Sequence, residues 1–140
     1  MELEALKKKL INNNYSIIAD INGKEYTSFD SGIKPVISVI NQEKDFFNGA
    51  IVVDRVIGKA SAILLTMSGA RKVHGLLMSK SAVELLKKYN IEYSYDQLVD
   101  IIINRKGDDM CPMEKTILNI DDFEQAYVAL NAKVRELNEK

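Results

Sequence analysis

The sequence predicts an α/β protein, a three-layer α/β/α sandwich built on a mixed β-sheet. The dipeptide Asn22-Gly23 separates two β-rich segments and predicts an antiparallel hairpin. After the hairpin, apolar strand segments alternate with helical patterns, which favours parallel strands connected by helices. A stretch of small and apolar residues from Asp54 to Leu65 follows the apolar run Ala50–Val53 and predicts a central, almost fully buried helix.

Composition limits the class of protein. The chain has 140 residues and 46% apolar residues, so we expect one domain over residues 1–140. A net charge of -1, with lysines scattered among acidic residues, argues against a nucleic-acid partner. There is no apolar run of about 18 residues, and the first residues are too charged for a secretory signal. We therefore expect no membrane partner and a cytoplasmic location, and the single cysteine agrees with a reducing compartment.

The N-terminal third predicts a helix, a hairpin and a second helix. Residues 2–12 have leucines at helical spacing, and three asparagines follow. Segments 15–21 and 25–29 are the hairpin strands. Asp30-Ser31-Gly32 predicts a turn and a possible N-cap, and residues 33–42 predict a short helix with proline in its first turn.

The central third predicts a strand, the central helix and another strand. Ala50–Val53 is the first strand, and Asp54 follows it as the predicted N-cap of the helix. The helix continues to about Ser68, where Gly69 ends it, and Lys72–Met78 is the next strand.

The third helix-and-strand unit follows directly. Ser79 is the predicted N-cap of a helix that ends at Asn90 in a left-handed conformation. Ile91–Tyr95 then predicts a strand. For Asp96–Ile103 the pattern fits a short helix and an apolar strand equally, so both alternatives stay open.

The C-terminal part predicts a charged loop and two helices. Arg105–Met110 is the loop, and Cys111-Pro112 begins a helix that extends to about Leu118. Asp121 is the predicted cap of the last helix. The positions predicted to face inward in that helix are Phe123, Ala126, Tyr127, Leu130, Val134 and Leu137.

This order of elements resembles the cytidine-deaminase-like fold. In those enzymes the central helix carries a His-x-Glu or Cys-x-Glu motif and the next helix a Pro-Cys-x-x-Cys motif, which together bind zinc. Here residues 58–61 read Gly-Lys-Ala-Ser and residues 79–82 read Ser-Lys-Ser-Ala, so neither helix offers a zinc ligand. His74 and Cys111 are too few, and we predict neither a metal nor a cofactor.

The segments DRVIGKASA, MSKSAVELL and INRKGDDMCPMEK resemble an uncharacterised family of small prokaryotic proteins placed in the deaminase-like superfamily, whose members lack the zinc motif. The resemblance implies the fold, and the superfamily's habit of pairing subunits implies a homodimer. It implies no activity.

We predict a polar pocket at the carboxyl ends of the strands. Its residues are Asp54, Gly58, Lys59, Ser79, Cys111 and Glu114. The first hypothesis is a metal-independent binding domain, in which helix N-termini and Lys59 hold a small anionic or nucleotide-like ligand. The alternative is a zinc-independent enzyme that uses Cys111 as a nucleophile on a nucleobase-like substrate, with Asp54, Glu114 or His74 as acid or base. A third possibility is an interaction subunit with a vestigial pocket.

Structural explanations compete with three of these site assignments. Cys111 is a nucleophile only if a base lies near, and we favour a small buried residue, with Glu114 folding back to cap its own helix. Asp54 is more typical of a helix cap than of a general base. His74 fits a hydrogen-bonded sheet residue better than a catalytic base.

The remaining site candidates are positively charged: Lys59 and the segment Arg105-Lys106-Gly107. Lys59 is hard to explain by folding alone, because a cation in the first turn opposes the helix dipole. Its side chain either extends outward to solvent or faces a carboxylate or anion, for which Glu114 and Asp109 are the candidates. Arg105-Lys106-Gly107 either contacts an anion or is simply solvated, and we favour the second interpretation.

Overall fold

A computed structural model describes residues 3–138 of the protein. The predicted first residue of the first helix, Glu2, lies outside the described residues. None of the helices within 3–138 is both long and apolar enough to cross a membrane. The elements in chain order are α1 (Leu3–Asn12), β1 (Ile17–Ile21), β2 (Lys24–Ser28), α2 (Lys34–Gln42), β3 (Ile51–Ile57), α3 (Lys59–Met67), β4 (Lys72–Ser79), α4 (Lys80–Lys88), β5 (Glu92–Val99), α5 (Pro112–Thr116) and α6 (Phe123–Asn138).

A mixed sheet of five strands runs through the protein in the order β2-β1-β3-β4-β5. Strand β1 is antiparallel to β2 and β3, whereas β3, β4 and β5 are parallel to one another. Helices α3 and α4 connect the parallel strands, as the alternation of patterns predicted. The mixed sheet is confirmed, and the carboxyl ends of β3, β4 and β5 meet at one end of it.

Helices cover both faces of the sheet and produce three layers. On one face, α1 packs Leu6 and Leu10 against Ile18, Ile51 and Val53. The alternate strand residues face the other side, where they form a larger core with the remaining helices. Buried residues that α2 to α6 contribute to this larger core include Val36, Leu64, Leu86, Met113 and Leu130.

Signals that act over a few residues predicted their elements correctly. Asn22 and Gly23 have φ angles of 53° and 94°, the left-handed conformation that the hairpin turn needs. Ser79 caps α4, because its hydroxyl accepts a hydrogen bond from the Ala82 N–H at 3.2 Å. Asn90 follows α4 with φ at 58°, as predicted.

The predicted beginning of the central helix is wrong. Strand β3 continues to Ile57, Gly58 is the N-cap, and α3 follows. Asp54 lies inside the strand and caps no helix. Pairing on both sides explains the longer strand, because Asp54 lies opposite Ile17 of β1 and Gly75 of β4.

Two other predicted caps are also corrected. The N-cap of α2 is Ile33, without a side-chain hydrogen bond, so Asp30-Ser31-Gly32 does not cap this helix. The cap of α6 is Asp122 and not Asp121, since the Asp122 carboxylate accepts the Gln125 N–H at 2.9 Å. The caps differ from the prediction by one to three positions, which sequence patterns do not resolve.

The structure decides between helix and strand for Asp96–Ile103. Residues 96–99 complete β5, and an irregular segment follows. The helix predicted to reach Leu118 ends at Thr116. In α6, Ala126 and Leu130 are buried, but Leu137 is 40% exposed and its predicted inward position is wrong. The other three predicted inward residues, Phe123, Tyr127 and Val134, pack partly buried against the larger core.

Candidate functional site

Asp54 is a buried carboxylate in the middle of β3, the fourth of its seven residues. The residue is 6% exposed, and it faces the larger core because it lies opposite Ile17. Its Oδ1 accepts a long hydrogen bond, 3.4 Å, from the Val56 N–H, whereas its Oδ2 has no hydrogen-bond partner among residues 3–138. A buried polar atom without a partner costs roughly 1–3 kcal/mol, so folding alone does not explain Asp54.

Burial raises the pKa of Asp54 to about 7. The N–H groups of Val56 and Arg55 and the charge of Arg55 oppose this rise, but the loss of water outweighs them. The Arg55 guanidinium is engaged elsewhere, since its Nε donates to the Tyr15 carbonyl at 2.7 Å. The Asp54 carboxyl is therefore able to donate or to accept a hydrogen bond near neutral pH.

The N-terminus of α3 binds a carboxylate supplied by α5. The two oxygens of Glu114 accept the N–H groups of Lys59 and Ala60, each at 2.8 Å. Gly58 provides the necessary space, because a Cβ atom there would lie 2.5 Å from Glu114 Oε1. The protein's own carboxylate thus occupies the helix N-terminus that a free anion would use.

This contact corrects the predicted role of Glu114. The sequence predicted a carboxylate that caps its own helix, but Glu114 caps α3 instead. Burial raises the pKa of Glu114, while the N–H groups of Ala60 and Lys59 and the nearby charge of Lys59 lower it. Both oxygens have donors, so capping explains this buried acid.

The Lys59 ammonium lies beside the end of α5. Its Nζ is 3.4 Å from the carbonyl oxygens of Ile117 and Leu118 and 3.6 Å from Asp121 Oδ1. A cation near the last carbonyls of a helix is favourable, although this helix has only one turn. The side chain is 15% exposed, and it has partners within the protein.

Both partners predicted for the Lys59 ammonium are wrong. Glu114 binds the backbone N–H of Lys59, and Asp109 pairs with Lys115. Glu114 reaches α3 from the first turn of α5, so the longer lysine side chain meets the other end of that short helix.

Ser79 and Cys111 lie at helix ends. The Ser79 side chain is buried, caps α4 and lies 3.1 Å from the Ser81 hydroxyl. Cys111 is the N-cap residue of α5, but its side chain makes no capping hydrogen bond. It is partly buried against the larger core.

The segment after β5 crosses the end of the sheet. The Arg105 guanidinium donates to the hydroxyl of Ser31, which follows β2 at the opposite edge. Asn104 holds the loop, because its Oδ1 accepts the N–H groups of Gly107 and Asp108 at 2.8 and 3.2 Å. Arg105 therefore contacts the protein and is not simply solvated, and Asn104 is a loop residue that sequence reasoning missed.

His74 lies on the face that α1 covers. Its Nδ1 is 2.6 Å from Ser94 Oγ, and its Nε2 is 3.1 Å from Asp96 Oδ1. The Lys7 ammonium of α1 lies 2.8 Å from the same Asp96 oxygen. His74 is thus a hydrogen-bonded sheet residue, and it lies on the opposite face from Asp54. Sequence reasoning missed its two partners on β5, because the register between strands is not visible in one sequence.

Metal ligation has no visible basis in the described part of the chain. Within residues 3–138, no three or more His, Cys, Asp and Glu side chains are grouped so that they could hold a metal ion. His74 and Cys111 lie on opposite faces of the sheet. They therefore cannot contribute to one site, and His74 cannot serve as a base for Cys111.

Two surface grooves contain none of the six predicted site residues in their lining. One has a volume of about 440 Å³, and it is lined by Asn41, Tyr127, Val128, Asn131 and Arg135. The other measures about 370 Å³, and it is lined by Asn104, Asp109, Met110, Pro112, Lys115, Thr116 and Lys133. The two lysines of the second groove pair with Asp109 and Glu136, so its positive charge is balanced.

Comparison with known proteins identifies the family. Residues 5–134 match the family described as TM1506: Domain of unknown function (DUF1893). This chain belongs to the DUF1893 family. A crystal structure of a DUF1893 family protein (TM1506) from Thermotoga maritima, at 2.70 Å resolution, is similar, with a TM-score of 0.84 and 31% sequence identity. The similarity covers 94% of this chain and 88% of that chain. No curated protein matches this sequence.

Proposed function

We propose that this DUF1893 chain is a metal-independent domain that binds a small nucleotide-like ligand through Asp54. One observation carries the proposal, namely a buried carboxyl whose Oδ2 has no partner within residues 3–138. Perturbed buried acids of this kind are concentrated at functional sites. Open α/β sheets bind ligands at the carboxyl ends of their strands, and Asp54 lies three residues before that end of β3.

The chemistry of Asp54 favours a nucleobase-like edge. A carboxyl with a pKa of about 7 presents an O–H donor beside a carbonyl acceptor when it is protonated. A nucleobase edge has a ring nitrogen acceptor beside an N–H donor, and the two pairs are complementary. The residue is 6% exposed, so the ligand must displace the side chains that cover it.

An anionic ligand at Gly58, Lys59 and Ser79 is the less favoured form of this proposal. The Lys59 N–H already binds Glu114, and the Ser79 hydroxyl already caps α4. An anion would have to displace Glu114 from a site to which Gly58 is fitted.

The alternative function, an enzyme with Cys111 as nucleophile, stays a prediction. Its remaining acid-base candidates are Asp54 and Glu114, and both oxygens of Glu114 accept backbone N–H groups. No observation in the described chain favours this reaction over ligand binding.

We infer the finer classification from the sequence and the sheet. A hairpin followed by parallel strands and connecting helices supports a cytidine-deaminase-like fold without the zinc motif, as one domain over residues 1–140. We further propose a cytoplasmic homodimer without a nucleic-acid or membrane partner. The near balance of charges, -1 in total, supports the absence of a nucleic-acid partner.

A thermal-shift experiment tests the ligand proposal. Cytosine, adenine, guanine and uracil, with their nucleosides and nucleotides, should include a compound that raises the unfolding midpoint, because a ligand of the folded state stabilises it. Asp54→Leu should abolish the shift, because leucine presents neither the O–H donor nor the carbonyl acceptor. Asp100→Leu is the matched control, since Asp100 is exposed and pairs with Lys80, and it should respond like the wild type.

Two results would overturn the proposal. One is the absence of any shift in the wild-type protein at millimolar ligand. The other is an Asp54→Leu variant that responds as strongly as Asp100→Leu.

A further inference from the structure

Ser94, His74 and Asp96 form a connected group on the α1 face of the sheet. His74 of β4 and Ser94 of β5 are partners in the parallel register. The ring nitrogens of His74 lie 2.6 Å from Ser94 Oγ and 3.1 Å from Asp96 Oδ1. A serine, a histidine and a carboxylate in one hydrogen-bonded row have the relative arrangement of a nucleophile, its base and the group that orients the base.

The partner of each nitrogen decides where the proton of the imidazole lies. Asp96 is ionised, because the Lys7 ammonium at 2.8 Å and His74 hold the pKa of this carboxyl below its usual value. A carboxylate only accepts hydrogen bonds, so Nε2 of His74 must carry the proton that it shares with Asp96. In the neutral ring Nδ1 then has the free lone pair, and the Ser94 hydroxyl donates to it.

The group is accessible from one side. The His74 side chain is 6% exposed, whereas the Asp96 side chain is 41% exposed and Ser94 is intermediate. Strand β5 is an edge of the described sheet, so N–H groups on its outer side have no strand partner there. Such N–H groups are potential donors to a substrate oxygen beside Ser94.

We propose that Ser94 is a nucleophile for small activated esters, with His74 as its general base and with Asp96 and Lys7 as positioning residues. This centre is separate from Asp54, since the two lie on opposite faces of the sheet.

The proposed reaction needs only these residues, the ester and water. Ser94 Oγ attacks the ester carbonyl carbon, and its proton moves to Nδ1 of His74. The bond from the carbonyl carbon to the leaving oxygen breaks, and the leaving alkoxide takes that proton. Water then attacks the acyl-serine with His74 as base, which releases the carboxylic acid and restores Ser94.

The full chain incubated with p-nitrophenyl acetate tests this proposal. We expect a burst of p-nitrophenolate and an acetyl group on Ser94, located by peptide mass spectrometry. Ser94→Ala should abolish that adduct and the burst. Ser81→Ala is the matched control, because Ser81 is a partly exposed serine whose hydroxyl contacts Ser79 and no histidine, and it should behave like the wild type.

Two further variants separate catalysis from structure. His74→Gln should slow acetylation of Ser94 by about 100-fold or more, because the general base is lost. Asp96→Asn should slow it similarly and change its pH profile, since the amide donates to Nε2 and places the proton on Nδ1. The thermal unfolding midpoint of each variant shows whether it folds. If His74→Gln does not fold, the acetylation rate and pH profile of Asp96→Asn provide the test.

The proposal is overturned if Ser94 is not acetylated in the wild type. It is equally overturned if a folded His74→Gln or Asp96→Asn variant is acetylated at Ser94 at the wild-type rate and with the wild-type pH profile.

Discussion

Asp54 and Glu114 are two buried carboxylates with opposite surroundings. They are 6% and 7% exposed, and burial raises the pKa of both. Glu114 accepts two short N–H hydrogen bonds at the start of α3, whereas Asp54 accepts one long hydrogen bond and has an oxygen without a partner in residues 3–138. Equal burial therefore does not mean an equal role.

The comparison teaches how to separate a structural acid from a functional one. The surroundings of Glu114 are fitted to it, because Gly58 lacks a side chain where the carboxylate approaches and α3 presents two N–H groups. Nothing in the described chain is fitted to Asp54 Oδ2 in this way. We therefore interpret Glu114 as a cap and Asp54 as the group that receives a ligand.

The largest expected effect concerns the pH dependence that Asp54 produces. Its folded pKa of about 7 lies above the usual 3.8, so between these values the unfolded chain releases a proton that the folded protein keeps. The free energy of unfolding should thus fall as the pH rises from about 4 to about 7, by about 4 kcal/mol in total, and then stay constant.

Asp54→Asn should remove this contribution. Urea unfolding of the wild type and the variant at several pH values measures it as the difference between the two curves, in which the other titrating groups cancel. If the free energies of unfolding of the wild type and the variant changed with pH in parallel, burial would not raise the pKa of Asp54. The contrast with Glu114 would then disappear.

A smaller effect tests the fit between Gly58 and Glu114. Gly58→Ala should cost about 3 kcal/mol, because the new methyl group expels the carboxylate and leaves two N–H groups of α3 without an acceptor. The backbone of Gly58 has φ at -100°, which alanine adopts freely, so the cost comes from the contact. In a Glu114→Ala background the same change should cost less than about 1 kcal/mol.

A double-mutant cycle by urea unfolding measures this coupling. Equal costs of Gly58→Ala in both backgrounds would mean that the glycine is needed for a reason other than Glu114.

The sequence predicted local features of the fold better than the site. Asn22-Gly23, Ser79 and Asn90 each act on residues within a few positions, and their structures follow from that local chemistry. Asp54 had the same local signal for a cap, but strands on both sides extend β3 beyond it. The pairing of β3 with β1 and β4 therefore outweighed the local preference of Asp54 for a helix cap.

The contacts that define the site join distant parts of the chain. Glu114 binds N–H groups 54 and 55 positions earlier, and no periodic pattern contains that information. The close approach of Glu114 to Gly58 likewise joins residues that are far apart in the sequence. His74 meets Ser94 only because β4 and β5 pair in one particular register. Sequence analysis thus found the candidate residues by their residue type, whereas their contact partners could be identified only in the structure.

The most direct test of the contrast compares Asp54→Asn with Glu114→Gln at about pH 8. Asp54→Asn removes a buried charge that lacks a partner, so the variant should be more stable than the wild type. Glu114→Gln replaces one accepting oxygen by an N–H₂ group and should destabilise the protein by about 2 kcal/mol. Free energies of urea unfolding that change in opposite directions are the predicted result. Destabilisation of similar size in both variants would contradict the account, because it would make Asp54 a structural acid like Glu114.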